Sequence, residues 1–299
     1  FEYLITFCLY SPLKDCFATT PKTPICCFND LNPTMDKKKK LFQTFNNFFD
    51  QIYLITLKRS TERHELVKKV LEGLDYSIFW AFDGRDLNVE DLVERGLYHP
   101  YHTKILRKRI GKPPSDLTRS QLGCALSHLH VYKDIIKKNY TNALVFEDDL
   151  VLSDEAIDSA IKALSELPED WELLRLGHYG ANSDPTLLLK IQKWGLQSVT
   201  PFFQKFERLR VLDPNVIRCW FSRPYSEHLN RSGYHFGNHA YAVTQDGAQK
   251  ILNHQTPIVQ RSDNAISELC SYEWLNGFNL KKRLFYQNEN LTSTIDGQP

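Results

Sequence analysis

The chain has 299 residues, of which 42% are hydrophobic and 24% charged, values that are ordinary for a globular protein with a sizeable core. Its formal net charge of +1 gives no electrostatic case for nucleic acid as the main partner, and the sequence defines no protein partner. No apolar run approaches the length that is needed to span a bilayer.

The first 34 residues differ from the rest of the chain. They hold four of the seven cysteines and are broken by prolines, and the one methionine, Met35, follows them. We predict that residues 1–34 are a disordered leader or an upstream segment foreign to the native protein; the alternative is a genuine N-terminal extension. The other cysteines, Cys124, Cys219 and Cys270, are odd in number and lack C-x-x-C spacing. This argues against a disulfide framework or a zinc site and favours a reducing compartment, so we expect a cytoplasmic protein.

Residues 35–50 predict a basic amphipathic helix. Lysines at positions 37–40 precede apolar residues at helical spacing, which are Leu41, Phe45, Phe48 and Phe49. We favour a helix that packs against its own domain. The alternative is peripheral contact of residues 37–49 with an anionic membrane surface, at the inner face of the membrane.

The next segments predict a βαβ unit. Residues 52–57 (IYLITL) are typical of a buried strand, apolar residues at helical spacing follow, and residues 77–82 predict a second strand that ends at Asp83-Gly84. Residues 86–117 are polar and basic and contain two adjacent prolines. We expect an irregular crossing segment there.

A long helix and a central strand come next. Thr118 and Gln121 have the spacing of a capping box, and apolar residues at helical spacing continue from position 122 to position 136. Residues 143–146 predict a strand that continues directly into the acidic triplet Glu147-Asp148-Asp149.

The last part of the chain surrounds an irregular segment. Residues 178–236 show no clean period, yet they are rich in arginine and in aromatic residues such as Trp220 and Phe221, which argues against disorder. We expect them to form an acceptor-side insertion in a single domain that spans residues 51–299. The remaining predicted elements are strands over 171–176, 240–243 and 281–286, and helices that begin at Ser153, Thr244 and Ser262.

The acidic triplet is the strongest candidate for chemistry. Three adjacent carboxylates repel one another, so folding gains nothing from placing them together. Open α/β sheets bind ligands at the carboxyl ends of their strands, and clustered carboxylates there suit a hard divalent ion, Mg²⁺ or Mn²⁺. Such an ion can bridge a diphosphate and neutralise charge on a leaving nucleotide. The alternative is a solvated acidic turn before a helix.

Five blocks of the sequence carry a family resemblance. They are IYLITLKRSTERH at 52–64, AFDG at 81–84, GCALSH at 123–128, the strand ending in EDD at 143–149 and NHAYAVTQDGAQKIL at 238–252. Together they resemble glycosyltransferase family 25, which includes bacterial lipooligosaccharide galactosyltransferases and the collagen galactosyltransferase domain. Each block alone is weak, and their order along the chain is what is specific.

The resemblance implies a fold and a reaction. The fold is an α/β fold of the GT-A, Rossmann-like type, with a mostly parallel central sheet and helices on both faces. The reaction is an inverting, metal-dependent transfer of a hexose from a UDP-sugar donor to a saccharide acceptor, with Mn²⁺ or Mg²⁺ as cofactor. Galactose is the expected hexose. We expect the acceptor to be a lipopolysaccharide, a lipooligosaccharide or another surface glycan.

Two alternatives remain open. One is a catalytically silent module on the same fold that binds a nucleotide-sugar or a carbohydrate. The other is a protein-directed transferase of the collagen type, which the lack of a recognisable signal peptide disfavours.

The resemblance also assigns residues to the donor site. The EDD block is similar to the family's DxD metal motif, so Asp149 and Glu147 are the expected metal ligands. We expect Glu147 and Asp148 to contact the donor as well. Leu57, Arg59 and Arg63 fall where the first strand and the next helix meet the nucleotide; the alternative for Arg63 is an exposed first-turn arginine.

The other assignments concern the ribose or base and proton transfer. Asp83 ends the second strand, where a carboxylate can hold ribose or uracil, or else it forms an Asp-Gly turn. An inverting transfer needs a general base. Asp263 is the first candidate, with an ordinary helix-terminal carboxylate as its alternative. His239 is a second candidate for base or metal ligand, although its surroundings depart from the family pattern. His128, one turn after Cys124, is either substrate-proximal or structural.

Overall fold

The computed structural model describes residues 31–109, 114–179 and 221–288, together with the single positions 187, 191, 194, 195, 198, 219 and 291. Helix α1 (Leu31–Phe48) precedes a βαβ unit of β1 (Gln51–Thr56), α2 (Thr61–Val70) and β2 (Ser77–Trp80). Strand β1 pairs in parallel with β2 and, on its other side, with β3 (Asn142–Glu147). The βαβ unit predicted from the sequence is confirmed.

The segment between β2 and β3 is mainly helical. A short turn at Gly84–Asp86 is followed by α3 (Val89–Glu94), α4 (Pro100–Arg109) and α5 (Arg119–Lys138). The prediction of an irregular segment over 86–117 was therefore wrong for α3 and α4. Both helices have local signals: the Asn88 side chain accepts a hydrogen bond from the backbone N–H of Asp91, and Pro100 occupies the first position of α4.

The capping box predicted for the long helix is present. The Thr118 hydroxyl accepts from the backbone N–H of Gln121, and the Gln121 side chain accepts from the backbone N–H of Thr118. This pair fixes where α5 begins, and α5 then carries Cys124 and His128 toward the end of β3.

The second half of the chain supplies the rest of the sheet. Its elements in chain order are β4 (Leu150–Leu152), α6 (Ile157–Ser165), β5 (Leu173–Tyr179), β6 (Arg223–Pro224), β7 (Leu229–Arg231), β8 (Phe236–Thr244), α7 (Gln245–His254), α8 (Ser262–Ser271), β9 (Gly277–Leu280) and β10 (Phe285–Gln287). A three-residue 3-10 turn, Asp154–Ala156, precedes α6 where the sequence predicted a helix start at Ser153. Helix α8 begins at Ser262, with Arg261 rather than Ser262 in the capping position.

Within the described residues the central sheet has eight strands in the order β2-β1-β3-β8-β5-β9-β7-β6. Strand β8 is antiparallel to β3 and β5, and β7 is antiparallel to β9 and β6, while β5 and β9 are parallel. Six strands therefore point one way and two the other. The mostly parallel α/β sheet that the family resemblance implied is confirmed.

The last predicted strand lies elsewhere than expected. Residues 281–284 connect β9 to β10, so that only residues 285 and 286 of the predicted strand lie in β10. Strand β10 then pairs antiparallel with β4, so that Gln287 lies opposite Leu150, next to the acidic triplet. This two-stranded ribbon adds a residue from the far end of the chain to the site.

Helices cover both faces of the sheet. Along β1, Ile52 and Leu54 belong to an apolar cluster that includes α1 and α6, whereas Tyr53 and Ile55 belong to a second cluster that includes α5 and α7. Successive strand residues point to opposite faces, so burial of both sets is the pattern of a covered parallel sheet.

Helix α1 packs against its own domain. Leu41, Phe42 and Phe45 are at most 1% exposed and lie in the same cluster as α6. The apolar side chains that membrane contact through residues 37–49 would use are therefore inside the domain, and membrane contact itself stays an untested alternative. Within the described ranges, no helix is both long and apolar enough to cross a membrane.

Two predicted segments lie mainly outside the described residues. For the predicted leader, the description begins at position 31, where α1 starts. Most of the predicted insertion at 178–236, including Trp220, is also outside. Its described part holds β6, β7 and the buried side chain of Phe221.

Candidate active site at the carboxyl ends of the parallel strands

A cleft opens where the parallel strands β1, β2 and β3 end. It holds about 700 Å³ of empty space, a figure that includes the open solvent at its mouth. The cleft is lined by Ile55, Thr56, Leu57, Arg59, Arg63, Ala81, Phe82, Gly84, Ser120, Cys124, Ser127, His128, Glu147, Asp148, Asp149 and Gln287.

Two glycines let helix α5 approach this cleft. A Cβ atom at Gly84 would lie 2.5 Å from the backbone of Arg119, and one at Gly123 would lie 2.5 Å from the carbonyl oxygen of Phe82. Both distances are too short for non-bonded atoms. The missing side chains therefore allow the N-terminal part of α5 to rest on the loop after β2.

Asp148 is held by two donors. The Thr56 hydroxyl donates to its Oδ2 at 2.5 Å, and Arg63 Nη1 donates to its Oδ1 at 2.6 Å. Arg63 Nη1 also lies 3.7 Å from Asp149 Oδ2, and its side chain is only 12% exposed. The alternative of Arg63 as an exposed first-turn arginine is wrong, since Arg63 bridges two carboxylates of the triplet.

Asp149 carries an unsatisfied acceptor. Its Oδ2 accepts from the side-chain amide of Gln287, and its backbone carbonyl accepts from the N–H of Asn288 at 2.7 Å. Among the described residues, its buried Oδ1 has no hydrogen-bond partner. Burial, together with the charge of Glu147, raises the pKa of Asp149 to about 7. A cation at Oδ1 would satisfy the oxygen and favour the charged carboxylate.

Glu147 belongs to a chain of buried polar groups. Its Oε1 lies 3.1 Å from His128 Nε2, and His128 Nδ1 lies 2.8 Å from the hydroxyl of Tyr241, which is 2.8 Å from that of Tyr132. Burial acts to raise the pKa of Glu147, but the hydrogen bond and charge of His128 outweigh it and leave the pKa lowered. His128 is therefore part of the site rather than a core histidine remote from it.

The donor set fits a hard divalent ion. The unpartnered Oδ1 of Asp149 and the carboxylate of Glu147, both on the cleft lining, are the oxygens that Mg²⁺ or Mn²⁺ prefers. Asp148 has both oxygens engaged by protein donors, so its contribution is to hold Arg63 in place. The expected ligands Asp149 and Glu147 remain the candidates.

Asp83 orders a turn. It accepts from the side chains of Arg59 and Arg85, at 2.6 and 2.8 Å, and from the backbone N–H of Arg85 at 3.0 Å. The hydrogen bonds from Arg85 are the main reason that the pKa of Asp83 lies well below its usual range. Among the residues lining the cleft are Leu57 and Arg59, but Asp83 is not one of them. Its arrangement matches the Asp-Gly turn alternative.

The two other base candidates lie behind the cleft lining. Asp263 Oδ2 accepts from the backbone N–H of Gly237 at 3.2 Å, and Asp263 Oδ1 accepts from that of Asn264 at 2.9 Å. His239 is 1% exposed, and its Nε2 lies 3.3 Å from the carbonyl oxygen of Phe285. Within the described residues, neither side chain lines the cleft. Their proposed roles stay predictions, and His128 is the candidate that the structure brings into the cleft.

A buried network that the sequence analysis missed lies between β5, β8 and α8. Arg175 Nη1 donates to the Gly237 carbonyl at 3.0 Å and to Asn238 Oδ1 at 3.3 Å, and Nη2 donates to Ser267 Oγ at 3.1 Å. Ser267 in turn donates to the carbonyl of His235. We call Arg175, His235, Asn238 and Ser267 the Arg175 network. An arginine inside the apolar run of β5 gives no local signal of such burial.

Comparison with known proteins finds similar sequences among glycosyltransferases. Procollagen galactosyltransferase 1-A of Xenopus laevis is 28% identical over 223 residues, 71% of this chain and 29% of that protein. Procollagen galactosyltransferase 1-B of Xenopus laevis is 32% identical over 216 residues, 69% of this chain and 28% of that protein. A glycosyltransferase 25 family member of Anopheles gambiae is 28% identical over 207 residues, 68% of this chain and 28% of that protein.

The match therefore spans less than a third of the length of these relatives. One family model, however, matches most of this chain, including most of the residues that form the cleft. The model of glycosyltransferase family 25, described as LPS biosynthesis protein, matches residues 49–266, a range that includes the acidic triplet, α5 and Asp263. The chain belongs to glycosyltransferase family 25.

Proposed function

We propose that this chain transfers galactose from UDP-galactose to an acceptor hydroxyl, with Mn²⁺ or Mg²⁺ at Asp149 and Glu147. The observation that carries the proposal is the buried Oδ1 of Asp149, which has no hydrogen-bond partner among the described residues and belongs to a residue that lines the cleft at the strand ends. Galactose is favoured because the relatives from Xenopus laevis are named as galactosyltransferases. Family membership alone supports a glycosyltransferase, and the sugar and the metal are parts of the proposal.

The chain's own residues perform the binding steps. Arg63, anchored by Asp148, offers a fixed positive charge to the diphosphate, and Arg59, anchored by Asp83, offers a second one at the cleft wall. When bound, the divalent ion supplies charge neutralisation for the leaving UDP. Glycines 84 and 123 keep α5 close, so the donor lies between the helix and the strand ends.

Proton transfer falls to a group near the acceptor hydroxyl. His128 lines the cleft, and so does Cys124. Burial raises the pKa of Cys124, and the charges of Glu147 and of the nearby Asp263 raise it further. We retain Asp263 as the proposed base on the acceptor side, with His128 orienting Glu147. Cys124 is not a nucleophile in this scheme, because its thiol is favoured over the thiolate.

The acceptor has two candidates. The family description names lipopolysaccharide biosynthesis and supports a saccharide hydroxyl. The names of the Xenopus laevis relatives support a collagen-type protein instead. Much of the proposed acceptor side falls in residues 180–218, outside the described ranges, so chemistry rather than geometry separates the two.

The test is a donor and acceptor screen on the full chain. Purified protein is given several UDP-sugars with Mn²⁺, and UDP release is measured with a lipooligosaccharide acceptor, a collagen peptide acceptor or water. We expect the highest rate with UDP-galactose and one acceptor class, and loss of turnover in excess chelator. Donor binding without turnover on any acceptor would favour the silent binding module. Full turnover in chelator would refute the metal part.

A further inference from the structure

A second kind of metal-ligand cluster lies on the floor of the cleft, beside the acidic triplet. The Sγ atom of Cys124, a ring nitrogen of His128 and a carboxylate oxygen of Glu147 all lie within 4.8 Å of one another. Cys124 and His128 are four residues apart on α5, so they project from one face of the helix, one turn apart. Glu147 meets them from the end of β3.

The separations are those of ligands around one ion. Zinc–ligand bonds of about 2.0–2.3 Å in a tetrahedron place neighbouring ligand atoms roughly 3.3–3.7 Å apart. His128 Nε2 and Glu147 Oε1 are 3.1 Å apart. The sulfur atom lies within 4.8 Å of both other ligand atoms, so the remaining gap to the tetrahedral separation is about 1–1.5 Å at most.

The imidazole of His128 is oriented from behind, as it is in metal sites. Its Nδ1 lies 2.8 Å from the Tyr241 hydroxyl, which is itself 2.8 Å from the Tyr132 hydroxyl. Both tyrosines are at most 1% exposed. A hydrogen bond to the ring nitrogen remote from the ion fixes the ring and leaves the other nitrogen for coordination.

A second group of ligand-type residues shows the contrast. Glu166, Glu227 and His228 also lie within 4.8 Å of one another. The carboxylate of Glu166, however, is already taken by the backbone N–H of His228, its ring and the Ser226 hydroxyl, and Glu227 is 82% exposed in its side chain. That group orders a turn. The cluster on α5 faces open cleft space instead.

We propose that Cys124, His128 and Glu147 form a binding site for a thiophilic divalent transition metal ion, of the Zn²⁺ class, with its fourth position open to the cleft. Thiolate and imidazole ligands favour this class over Mg²⁺ and Mn²⁺, which prefer the oxygens of Asp149. The site needs only one cysteine, so the absence of C-x-x-C spacing in the sequence does not bear on it. Binding must release the thiol proton.

Glu147 is common to this site and to the proposed donor-metal site. An ion of the Zn²⁺ class therefore withdraws Glu147 from the donor and inhibits transfer. This consequence rests on the proposed function, whereas the binding site itself does not. The experiment measures binding first, so that failure of one idea is distinguishable from failure of the other.

The test is a Co²⁺ titration of the full chain, in which Cys8, Cys16, Cys26 and Cys27 are replaced by serine to remove other thiols. We expect a near-ultraviolet thiolate-to-cobalt charge-transfer band that saturates at one equivalent and is abolished by an equivalent of Zn²⁺. Cys124→Ser should remove the band. Cys270→Ser, which changes a buried cysteine away from the cleft, should keep it, and so should Asp149→Asn.

Absence of the band, or its persistence in Cys124→Ser, overturns the proposal. If Cys124→Ser fails to fold, protection of the unsubstituted Cys124 from iodoacetamide by one equivalent of Zn²⁺, followed by mass spectrometry, decides instead. Protection supports the site, and equal alkylation with and without Zn²⁺ overturns it. Mn²⁺-dependent UDP release, measured separately, tests the proposed function and does not enter this decision.

Discussion

The cleft and the Arg175 network place charge in the protein interior in opposite ways. In the cleft, Asp149 is a buried acid whose pKa is raised to about 7, and one of its oxygens lacks a protein partner among the described residues. In the Arg175 network, a fully buried guanidinium is surrounded by neutral acceptors, and burial lowers its pKa. The first arrangement offers a carboxylate oxygen, Asp149 Oδ1, to a bound cation. The second is held by hydrogen bonds from both terminal guanidinium nitrogens to the chain itself, although Arg175 Nε has no partner among the described residues, and it supports the fold.

The largest expected effect on stability comes from the network. Arg175→Ala leaves a cavity and removes the donor to the Gly237 carbonyl and to Asn238 Oδ1. We expect a loss of about 3–5 kcal/mol in the free energy of unfolding, from the cavity together with the unsatisfied acceptors. Urea unfolding measures it. A loss below about 1 kcal/mol would show that the network is not structural.

The second prediction concerns acid. Burial, followed by the charges of Arg175 and Arg283, lowers the pKa of His235 to about 3. The unfolded chain binds this proton near pH 6.5 and the folded chain does not. The contribution of His235 to the free energy of unfolding is therefore fully present above that pH, and it falls by roughly 1.4 kcal/mol per pH unit down to about pH 3.

Thermal unfolding of His235→Gln between pH 7 and pH 4.5 should therefore show a shallower decline than that of the unsubstituted protein. His102→Asn, at an exposed histidine, is the matched control and should leave the slope unchanged. Equal slopes for the protein and His235→Gln would contradict the assignment.

The third prediction gives the opposite sign. The folded pKa of Asp149 is raised, so its contribution to stability is complete below about pH 4 and is lost as the pH rises through about 7. Asp149→Asn should increase the free energy of unfolding at pH 8 by roughly 1–3 kcal/mol while it abolishes metal-dependent turnover. Denaturant unfolding in chelator measures the gain. A destabilised variant would place Asp149 with the structural groups.

The smallest prediction tests a helix start. Thr118→Ala removes the side-chain acceptor for the N–H of Gln121 and should cost about 1 kcal/mol. Ser60→Ala is its matched control, since Ser60 occupies the capping position of α2 without a side-chain cap hydrogen bond. We expect a negligible change there. Equal losses in both variants would mean that the capping box contributes nothing specific.

The sequence was most informative where local chemistry decides the structure. The βαβ unit, the capping box at Thr118 and the strand that ends in Glu147 all follow from periodicity and capping residues. Local signals of the same kind are present at Asn88 and Pro100, where α3 and α4 begin. Placement of Leu57, Arg59 and Arg63 on the cleft wall followed from the family blocks.

The rest depends on contacts between distant parts of the chain. Gln287 reaches Asp149 through the pairing of β10 with β4, and Tyr241 on β8 contacts His128 on α5; both pairs are more than 100 residues apart in sequence. The local sequence around these residues does not predict those contacts. The Arg175 network is of the same kind, because its members come from β5, from α8, from β8 and from His235 just before β8.

Asp149 is proposed to bind a cation that also contacts the donor. The most direct test of this proposal is calorimetric titration of UDP into the full chain, with Mn²⁺ or with chelator, for the unsubstituted protein and for Asp149→Asn. We expect Mn²⁺ to tighten UDP binding by at least about tenfold, or about 1.4 kcal/mol, in the unsubstituted protein and to have no effect on Asp149→Asn. Equal UDP affinity with Mn²⁺ and with chelator in the unsubstituted protein, or full Mn²⁺ enhancement in Asp149→Asn, would contradict the account.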